Sequence, residues 1–353
     1  FGTSSYLGNV RPRGEAISKG GKAEGTTPVK KGMQNDARDI SQAGVRRGAV
    51  ACYLDIDHPD FDEWCDDLLK NPEGQNIGWV VTDEVIQKWR DRDYEMHRRR
   101  AKALRTKMIT GKGYFWKVDC VNRQQTQAYK NNNLTNKASN LCNEIALFAD
   151  LDHTYTCIIS SMNALNYDRW KDTGAAFIAT IFLDALCSEF LHKSKNIKGL
   201  EKAVRYTEKA RSLGLGLLGF HSYLQDNDIA IEEFEAHLKN QEIFSHLKKE
   251  SEMASRYVCS HIGEPEWCKG TGMAHTHLRA VAPNISSATL AGQVSQGIEP
   301  WIANVFLQPT AAGELVRINP QFLKVAKKYG KYNKALITDV INNLGSVQHL
   351  DWL

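Results

Sequence analysis

Several features that mark specialised classes of protein are missing from this sequence. Its eight cysteines form no Cys-x-x-Cys pair, which excludes a zinc ribbon and a thioredoxin-type motif. Its 45 basic and 41 acidic residues are too evenly balanced to indicate a nucleic-acid or membrane-surface partner. It has no run of about 18 apolar residues, so we expect no membrane-spanning helix. The segment from Phe1 to Ser5 lacks the basic and apolar regions of a signal peptide.

The composition that remains is ordinary for a globular protein. Of the 353 residues, 42% are hydrophobic and 24% are charged, which excludes a disordered or collagenous chain. A chain of this length can bury a large core. Without a secretory signal, we expect a cytoplasmic protein in which most cysteines are reduced and buried.

Short apolar runs alternate with segments of helical periodicity along the chain. Residues 48–56 and 78–82 are predicted to be buried strands. Helices are predicted over residues 61–69, 174–192, 200–212 and 232–259. This alternation favours an α/β architecture. Because no linker clearly divides the chain, we predict a single domain over residues 1–353.

Two groups of polar residues invite a functional interpretation that their surroundings do not support. Residues 83–110 include Arg98-Arg99-Arg100, but the acidic residues among them favour a solvated helical face over a nucleic-acid contact. Asp152, His153 and His58 are of metal-ligating types, but no set of three has the spacing of a metal site. We therefore expect no nucleic-acid partner and no bound metal.

The segment from Gly214 to Gly219 matches the pattern G-x-G-x-x-G. A dinucleotide site requires a strand directly before this pattern, so that the turn presents pyrophosphate to the next helix. The preceding residues, 202–211, are charged and helix-like. We therefore interpret these glycines as positions of close packing and expect no nicotinamide site.

The segment Ser139-Asn140-Leu141-Cys142-Asn143-Glu144-Ile145 combines side chains that can perform chemistry. On an extended backbone, alternate side chains point the same way, so Asn140, Cys142 and Glu144 would share one face. The thiol could act as a nucleophile or radical carrier, the carboxylate as a general base, and the amide could orient a hydroxyl. A chance polar strand edge is the alternative.

Two further segments have both a functional and a structural interpretation. Cys157 precedes an apolar run and could be a redox thiol or a core cysteine in a buried strand. Residues 282–291 predict a proline-led turn that opens into a helix. Free N–H groups and serine hydroxyls at such a start suit a phosphate, although the local sequence alone favours an ordinary capped helix.

Taken together and in this order, these segments resemble the large (α) subunit of ribonucleotide reductase, most closely the aerobic class I form. Residues 139–145 resemble its finger-loop motif S-N-L-C-x-E-I, and residues 211–220 resemble its R-x-L-G-[LI]-G-x-x-G-F helix start. Residues 282–300 resemble its A-P-x-x-S-S…G-I-E-P segment, and residues 44–49 its G-x-R-x-G-A segment. The matches extend over nearly the whole chain.

The resemblance implies a partial ten-stranded α/β barrel with a central finger loop. Cys142 would carry the thiyl radical that removes the 3′ hydrogen of a ribonucleotide, and Glu144 would act as base on the 3′ hydroxyl. Asn140 would hydrogen-bond nearby. Cys157 would be one of two thiols that reduce the 2′ position and end as a disulfide.

The resemblance also implies the residues that bind nucleotides. The substrate-binding residues would be Asn140, Leu141, Cys142, Asn143, Glu144, Pro283, Asn284, Ile285, Ser286, Ser287 and Gly48. Arg11 and Lys19 would contact the phosphates of an allosteric effector, ATP or a deoxynucleotide. The segment from Leu69 to Trp79 resembles the second allosteric loop, which couples effector identity to substrate choice.

The implied activity is the reduction of ribonucleoside diphosphates to deoxyribonucleotides for DNA synthesis. It would require a metal-containing, radical-generating small subunit and an external dithiol such as thioredoxin or glutaredoxin. By this resemblance, we expect the early barrel strands and the C-terminal tail of the family to lie outside this chain, and we expect complementary large-subunit segments or a homo-oligomer. The alternatives are a cobalamin-dependent reductase of the same barrel type and a non-catalytic nucleotide-binding or assembly piece.

Overall fold

A computed structural model describes residues 2–18, 20–42, 46–310 and 313–353 of the chain. The chain divides into two compact units, Phe1–Tyr155 and Thr156–Leu353. We call them unit 1 and unit 2 and describe each by itself. The prediction of a single domain over the whole chain stays a prediction.

Unit 1 combines six strands with six helices in its described residues. The strands are β1 (Gly2–Tyr6), β2 (Ser41–Gln42), β3 (Arg46–Arg47), β4 (Ala49–Asp55), β5 (Asn76–Val81) and β6 (Tyr114–Lys117). The helices are α1 (Thr26–Asp39), α2 (Phe61–Lys70), α3 (Asp83–Arg90), α4 (Tyr94–Thr110), α5 (Val118–Arg123) and α6 (Gln127–Asn131).

The main sheet of unit 1 is parallel and has the strand order β1-β4-β5-β6. Strand β4 alternates its side chains between two hydrophobic clusters, as the two-residue period of a strand requires. Val50, Cys52 and Leu54 face the cluster that the helices cover. Ala51 and Tyr53 face a second cluster, against which Leu141 of the predicted finger loop packs.

Helix α2 packs on one face of this sheet, and this packing explains why residues 61–69 have the pattern of an amphipathic helix. Helix α2 buries an apolar stripe that comprises Phe61, Trp64, Cys65 and Leu68. Acidic residues in its first turn and Lys70 in its last turn suit the helix dipole. The helix therefore covers strands β4 and β5 and leaves the opposite face of the sheet to the loop.

Residues 83–110 form two helices, α3 and α4, with a break at residues 91–93. The side chains of Thr82 and Asp93 cap the two helix starts by accepting backbone N–H groups. Arg98 donates to both Asp62 and Glu95, while Arg99 donates to Glu95 and to two backbone carbonyls. These arginines therefore hold α4 against its neighbours.

Unit 2 contains four strands and eight α-helices in its described residues. The strands are β7 (Ile159–Asn163), β8 (Gly214–Leu218), β9 (Val305–Thr310) and β10 (Gly313–Ile318). The helices are α7 (Tyr167–Trp170), α8 (Ala175–Ser194), α9 (Glu201–Ala210), α10 (Phe220–Asp226), α11 (Phe234–Ile262), α12 (Ile285–Leu290), α13 (Pro320–Lys328) and α14 (Lys334–Asn342).

The core of unit 2 lies between the parallel pair β7–β8 and the long helices α8 and α11. Leu215 and Leu217 of β8 are buried with Leu183 and Cys187 of α8. Cys187 is therefore a core residue, as expected. A second cluster joins β9 to α13 and α14, and β9 pairs with β10 in an antiparallel ribbon.

The glycine-rich segment lies mostly within a strand. Residues 214–218 form β8, and Gly219, with φ +76°, precedes helix α10. The expected helix start therefore begins only at Phe220. A Cβ atom on Gly216 would lie 2.1 Å from the carbonyl oxygen of Ala280, so the glycine permits close backbone approach. Helix α9 precedes this segment, as the sequence indicated.

Helix α8 corrects one sequence-based expectation. By length and composition it could cross a membrane, although we expected no such helix. Its Asp184 accepts hydrogen bonds from Arg211 and from His275, and Ser255 in turn contacts the His275 ring at 2.8 Å. A core helix of a soluble protein passes the same length and composition test.

Candidate active site

The predicted finger loop is a tight turn rather than an extended segment. The backbone turns at residues 141–143, and Asn143 has φ +64°. Asparagine tolerates this left-handed conformation better than most residues. The backbone N–H of Asn143 donates to the Asn140 carbonyl at 3.3 Å. The argument from extended alternation was therefore wrong, although two of its three side chains still meet.

The side chain of Asn140 organises this turn. Its Oδ1 accepts hydrogen bonds from the backbone N–H groups of Glu144 and Ile145, at 3.0 and 3.2 Å. Its Nδ2 donates to Glu144 Oε1 at 2.8 Å. The amide therefore fixes both the path of the backbone and the direction of the carboxylate.

Glu144 and Cys142 have properties suited to chemistry at this turn. Glu144 Oε2 is buried and has no hydrogen-bond partner within the described residues, so it retains the capacity to accept a proton from a ligand. Cys142 is exposed, and partial burial of its sulfur together with the nearby Glu144 raises the pKa of its thiol. The neutral S–H form is therefore favoured at physiological pH.

Tyr53 of strand β4 connects the sheet of unit 1 to this turn. This side chain is fully buried, and its hydroxyl donates to the Asn140 carbonyl at 2.7 Å and lies 3.1 Å from Asn143 Oδ1. Burial raises the pKa of Tyr53, so its hydroxyl stays protonated and able to donate. Gly78 makes room for the ring, because a Cβ atom there would lie 2.2 Å from Tyr53 Cε1.

Asn76 holds the turn at a second point. At the start of β5, its Nδ2 donates to the Leu141 carbonyl at 2.9 Å. Sequence reasoning missed both Tyr53 and Asn76, because each lies far from the motif in sequence. Their only signal is their position on strands β4 and β5, which becomes informative once the loop is known to cover that face.

The burial of the cysteines separates two of them from the rest. All eight lie in the described part of the chain, and four are buried, namely Cys52, Cys65, Cys187 and Cys268. Cys120 and Cys259 are intermediate, whereas Cys142 and Cys157 are exposed. Cys157 lies in unit 2, two residues before β7, and is not a core residue. Exposure of a thiol is a requirement for its reactivity.

The predicted phosphate-binding segment lies in unit 2. Asn284 has φ +53°, and its Nδ2 donates to the carbonyls of Ala282 and Leu217. Helix α12 begins at Ile285 and packs through Ala288 against Leu218. The remaining residues of the prediction are exposed, namely Pro283, Ile285, Ser286 and Ser287.

Three predicted positions lie outside these two segments. Gly48 donates its N–H to the Ile40 carbonyl, and a Cβ atom there would lie 2.4 Å from the Ala37 carbonyl oxygen. This contact is a packing reason for glycine at position 48. Arg11 is exposed in the segment that follows β1. Lys19 lies outside the described residues, as do residues 44 and 45 of the segment 44–49.

No group of three histidine, cysteine or acidic side chains is placed to hold a metal ion in the part of the chain that the structure describes. His153, which the sequence placed among possible ligands, contacts Asp150 at 2.9 Å. His58 accepts the backbone N–H of Asp60 at its Nδ1.

With this geometry established, the family follows from comparison with known proteins. The family model described as the ribonucleotide reductase barrel domain matches residues 2–92, 92–267 and 265–353. The chain therefore belongs to the ribonucleotide reductase barrel family. This match confirms the resemblance drawn from the motifs and the predicted α/β fold class of the ribonucleotide reductase type.

Individual relatives agree with this assignment. The α subunit of the class Id ribonucleotide reductase from Actinobacillus ureae is 38% identical with a TM-score of 0.89, covering 99% of this chain and 64% of that chain. A protein of Frog virus 3 described as a ribonucleoside-diphosphate reductase large subunit is 31% identical over 93% of this chain and 62% of its own length. A vitamin B12-dependent ribonucleoside-diphosphate reductase of Thermoplasma acidophilum is 27% identical over 96% of this chain. The chain thus spans less than two thirds of the length of these relatives.

Proposed function

We propose that this chain is the catalytic region of a class I ribonucleoside-diphosphate reductase large subunit. The observation that carries the proposal is the turn at residues 140–145. There an exposed neutral thiol, Cys142, lies on the same turn as a carboxylate whose one oxygen is held by Asn140 and whose other oxygen is buried without a partner among the described residues. This arrangement suits hydrogen-atom transfer at the thiol and proton transfer at the carboxylate.

The proposal assigns one role to each of these side chains. Cys142, once converted to a thiyl radical, takes the 3′ hydrogen atom of the ribonucleotide, and Glu144 Oε2 accepts the 3′ hydroxyl proton. Asn140 orients Glu144. Cys157 and a second thiol together supply two electrons and two protons, so that the 2′ hydroxyl leaves as water and the thiols end as a disulfide. In the last step Cys142 would return the hydrogen atom to the 3′ carbon, which restores the thiyl radical.

The proposed substrate contacts come from the resemblance and are given for each unit by itself. Main-chain groups at Leu141 and Asn143, together with Gly48, would line the sugar in unit 1. The diphosphate would be held by hydroxyl and N–H groups at residues 283–287 of unit 2, because the first N–H groups of a helix have no partner within the helix. Arg11 and Lys19 would contact an effector nucleotide.

The remaining requirements come from outside this chain. A metal-containing small subunit would generate the radical, and thioredoxin or glutaredoxin would restore the dithiol. Complementary large-subunit segments or further copies of the chain would complete the assembly. The setting would be the cytoplasm, where the thiols stay reduced.

Deoxyribonucleotide formation from labelled CDP tests the proposal directly. The full-length polypeptide is assayed with dithiothreitol, ATP and the small subunit from the same source. We expect Cys142→Ser to abolish product while nucleotide binding is retained, because serine cannot carry the radical at an accessible potential. Cys259→Ser, which changes a half-buried cysteine of α11, is the matched control and should keep full turnover. Turnover by Cys142→Ser would contradict the proposal.

A cobalamin-dependent reductase is the second candidate, because a relative of that type covers 96% of this chain. The same assay separates the two candidates when adenosylcobalamin replaces the small subunit. Product with adenosylcobalamin alone would favour this second candidate. Nucleotide binding without product under either condition would favour a non-catalytic assembly piece.

A further inference from the structure

Unit 1 contains a buried lysine that the proposed chemistry does not use. Lys30 of α1 is fully buried, and its Nζ donates to Asp67 Oδ2 and to Gln75 Oε1, both at 2.8 Å. It also lies 4.9 Å from the centre of the Trp64 ring. Fully buried lysines are rare because removing the ammonium from water is costly, so this side chain calls for a physical explanation.

The charge of Lys30 is paired with that of Asp67, and the neighbouring Lys31 cannot take its place. Burial lowers the pKa of Lys30, and the bond to Asp67 opposes that effect. Hydrogen bonds from Lys30 and Lys31 outweigh burial and lower the pKa of Asp67 to about 2. Lys31 is exposed, and its Nζ lies 2.9 Å from the other carboxylate oxygen of Asp67, Oδ1. In the described contacts, Lys30 is the lysine of this pair that also binds Gln75.

Gln75 connects the buried Lys30–Asp67 pair to the loop that precedes β5. Its Oε1 accepts from Lys30, and its Nε2 donates to Asp67 Oδ2 at 3.1 Å and to the Asn71 carbonyl at 2.7 Å. Both ends of the amide are therefore engaged, which sets the rotamer of Gln75. The segment from Asn71 to Asn76, which we call the 71–76 loop, is thereby tied at its first residue and near its last.

Two further cations hold the backbone of the 71–76 loop. Arg38 of α1 donates to the Glu73 carbonyl at 2.6 Å. Lys112 donates to the carbonyls of Pro72 and Gln75, at 2.6 and 3.0 Å. Helix α1 therefore contacts the loop at two points, one buried and one exposed.

The last residue of the 71–76 loop contacts the finger loop. Asn76, the residue after Gln75, donates its Nδ2 to the Leu141 carbonyl, and Leu141 directly precedes Cys142. Two hydrogen bonds and two peptide bonds, 75–76 and 141–142, thus connect the Lys30 ammonium to the residue that carries the thiol. Each member of the series lies in unit 1.

We propose that Lys30 and Asn76 are positioning residues for Cys142, with Lys30 fixing the 71–76 loop and Asn76 transferring that fixed position to the finger loop. The inference rests on the proposed function only for its effect on turnover, since the position of the thiol is a property of the folded chain. An apolar residue at position 30 could fill the same space, but it could not orient Gln75. Buried polar groups that specify one geometry are a recognised use of such costly interactions.

The test measures the alkylation rate of Cys142 by iodoacetamide across pH in the full-length polypeptide, with the exposed Cys157 as an internal reference. Loosening of the turn should bring the apparent pKa of Cys142 down towards its ordinary value. We expect Lys30→Met and Asn76→Ala each to raise the rate at neutral pH by about threefold or more, the effect of losing one hydrogen bond. The rate at Cys157 should not change.

A double-mutant cycle shows whether the two residues act through one series of contacts. The double variant should alkylate no faster than the faster single variant, whereas independent sites would multiply. Lys31→Met is the matched control, because it removes a cation from the same Asp67 without touching Gln75, and should leave Cys142 unchanged. If Lys30→Met does not fold, Gln75→Ala is the substitute variant. It keeps the Lys30–Asp67 pair, so it should fold, and it removes the link to the loop, so it should also raise the alkylation rate of Cys142.

The outcomes separate this inference from the proposed function. A folded Lys30→Met or Gln75→Ala variant with wild-type alkylation of Cys142, or a double variant whose effect is the product of the single effects, would overturn the inference. Absence of CDP reduction by the wild type would count against the proposed function alone, because the alkylation rates need no turnover. If turnover is present, the variants should lower kcat by more than they alter KM.

Discussion

Units 1 and 2 bury ionisable side chains of different kinds. In unit 1, the buried pair Lys30–Asp67 borders a loop, and burial raises the pKa of Asp55, which accepts from Tyr6. In unit 2, Asp184 joins Arg211 and His275 between α8, α9 and α11. The histidines whose pKa is shifted in the described residues, His221, His275 and His277, all lie in unit 2 and all are shifted down by burial.

This difference shows two uses of buried charge in one chain. The unit 1 pair orients a glutamine at the edge of the candidate active site, and surface Lys31 shares its carboxylate. The unit 2 cluster connects secondary-structure elements that otherwise meet through apolar contacts. We therefore expect damage to the unit 2 cluster to affect stability, and damage to the unit 1 pair to affect the position of the thiol.

The largest expected effect comes from Asp184→Asn. This change leaves Arg211 buried without a counter-ion, which costs about 3–5 kcal/mol in comparable sites. Denaturant unfolding followed by hydrogen exchange should show the loss in unit 2 peptides. Asp168→Asn, at an exposed ion pair with Lys171, is the control and should change stability by no more than about 0.5 kcal/mol. Equal effects of the two variants would refute the assigned role of the cluster.

The next largest expected effect is that of acidification, which should change the stability of the two units in opposite directions. Because burial lowers the pKa of His275 below its ordinary value, the unfolded chain takes up a proton near pH 6.5 that the folded chain does not. Unit 2 should therefore lose about 1.4 kcal/mol per pH unit for each such proton as the pH falls below 6.5. Asp55 in unit 1 has the opposite sign, since its raised pKa favours proton uptake by the folded form.

Hydrogen exchange at pH 7 and pH 5 measures this difference peptide by peptide. Protection should fall in unit 2 peptides and stay the same or rise in peptides of β4. Substitution of one buried imidazole, His275→Gln, should reduce the pH dependence of unit 2 by about one proton and leave the contributions of His221 and His277. A uniform loss of protection in both units would show that the buried histidines do not determine the acid response.

Gly78→Ala should produce the smallest of these effects, and it acts on unit 1. The added Cβ atom would overlap the Tyr53 ring, so we expect a loss of about 1–3 kcal/mol from overpacking, together with a displaced finger loop. Gly32→Ala is the control, because position 32 is a helical site in α1 with open space around it. It should be neutral or stabilising by up to about 1 kcal/mol. Denaturant unfolding compares the two.

Much of the fold could be predicted from local patterns. Helix α2 is amphipathic with a complete apolar stripe, and β4 is a short apolar run, so both were identified close to their observed bounds. The error at residues 214–218 has a physical cause. Glycines carry no side-chain periodicity, and their strand conformation is set by pairing with β7 and by close approach to Ala280.

The candidate site was predictable only in part. Asn140, Cys142 and Glu144 could be selected because they adjoin one another in sequence and carry complementary chemistry. Their turn could not, because it depends on Asn143 in a left-handed conformation and on Tyr53 and Asn76 from distant strands. The assignments of Cys157, of residues 283–287 and of the effector contacts stay predictions.

The sequence by itself determined the family, the α/β class and the candidates for reactive side chains, because these depend on residue identity and spacing along the chain. Only the tertiary structure decided which cysteines are exposed, which oxygen of Glu144 is left without a partner in the described residues, and which strands hold the finger loop. Burial and hydrogen bonding depend on residues brought together from far apart in sequence, and a linear pattern does not encode these contacts one by one.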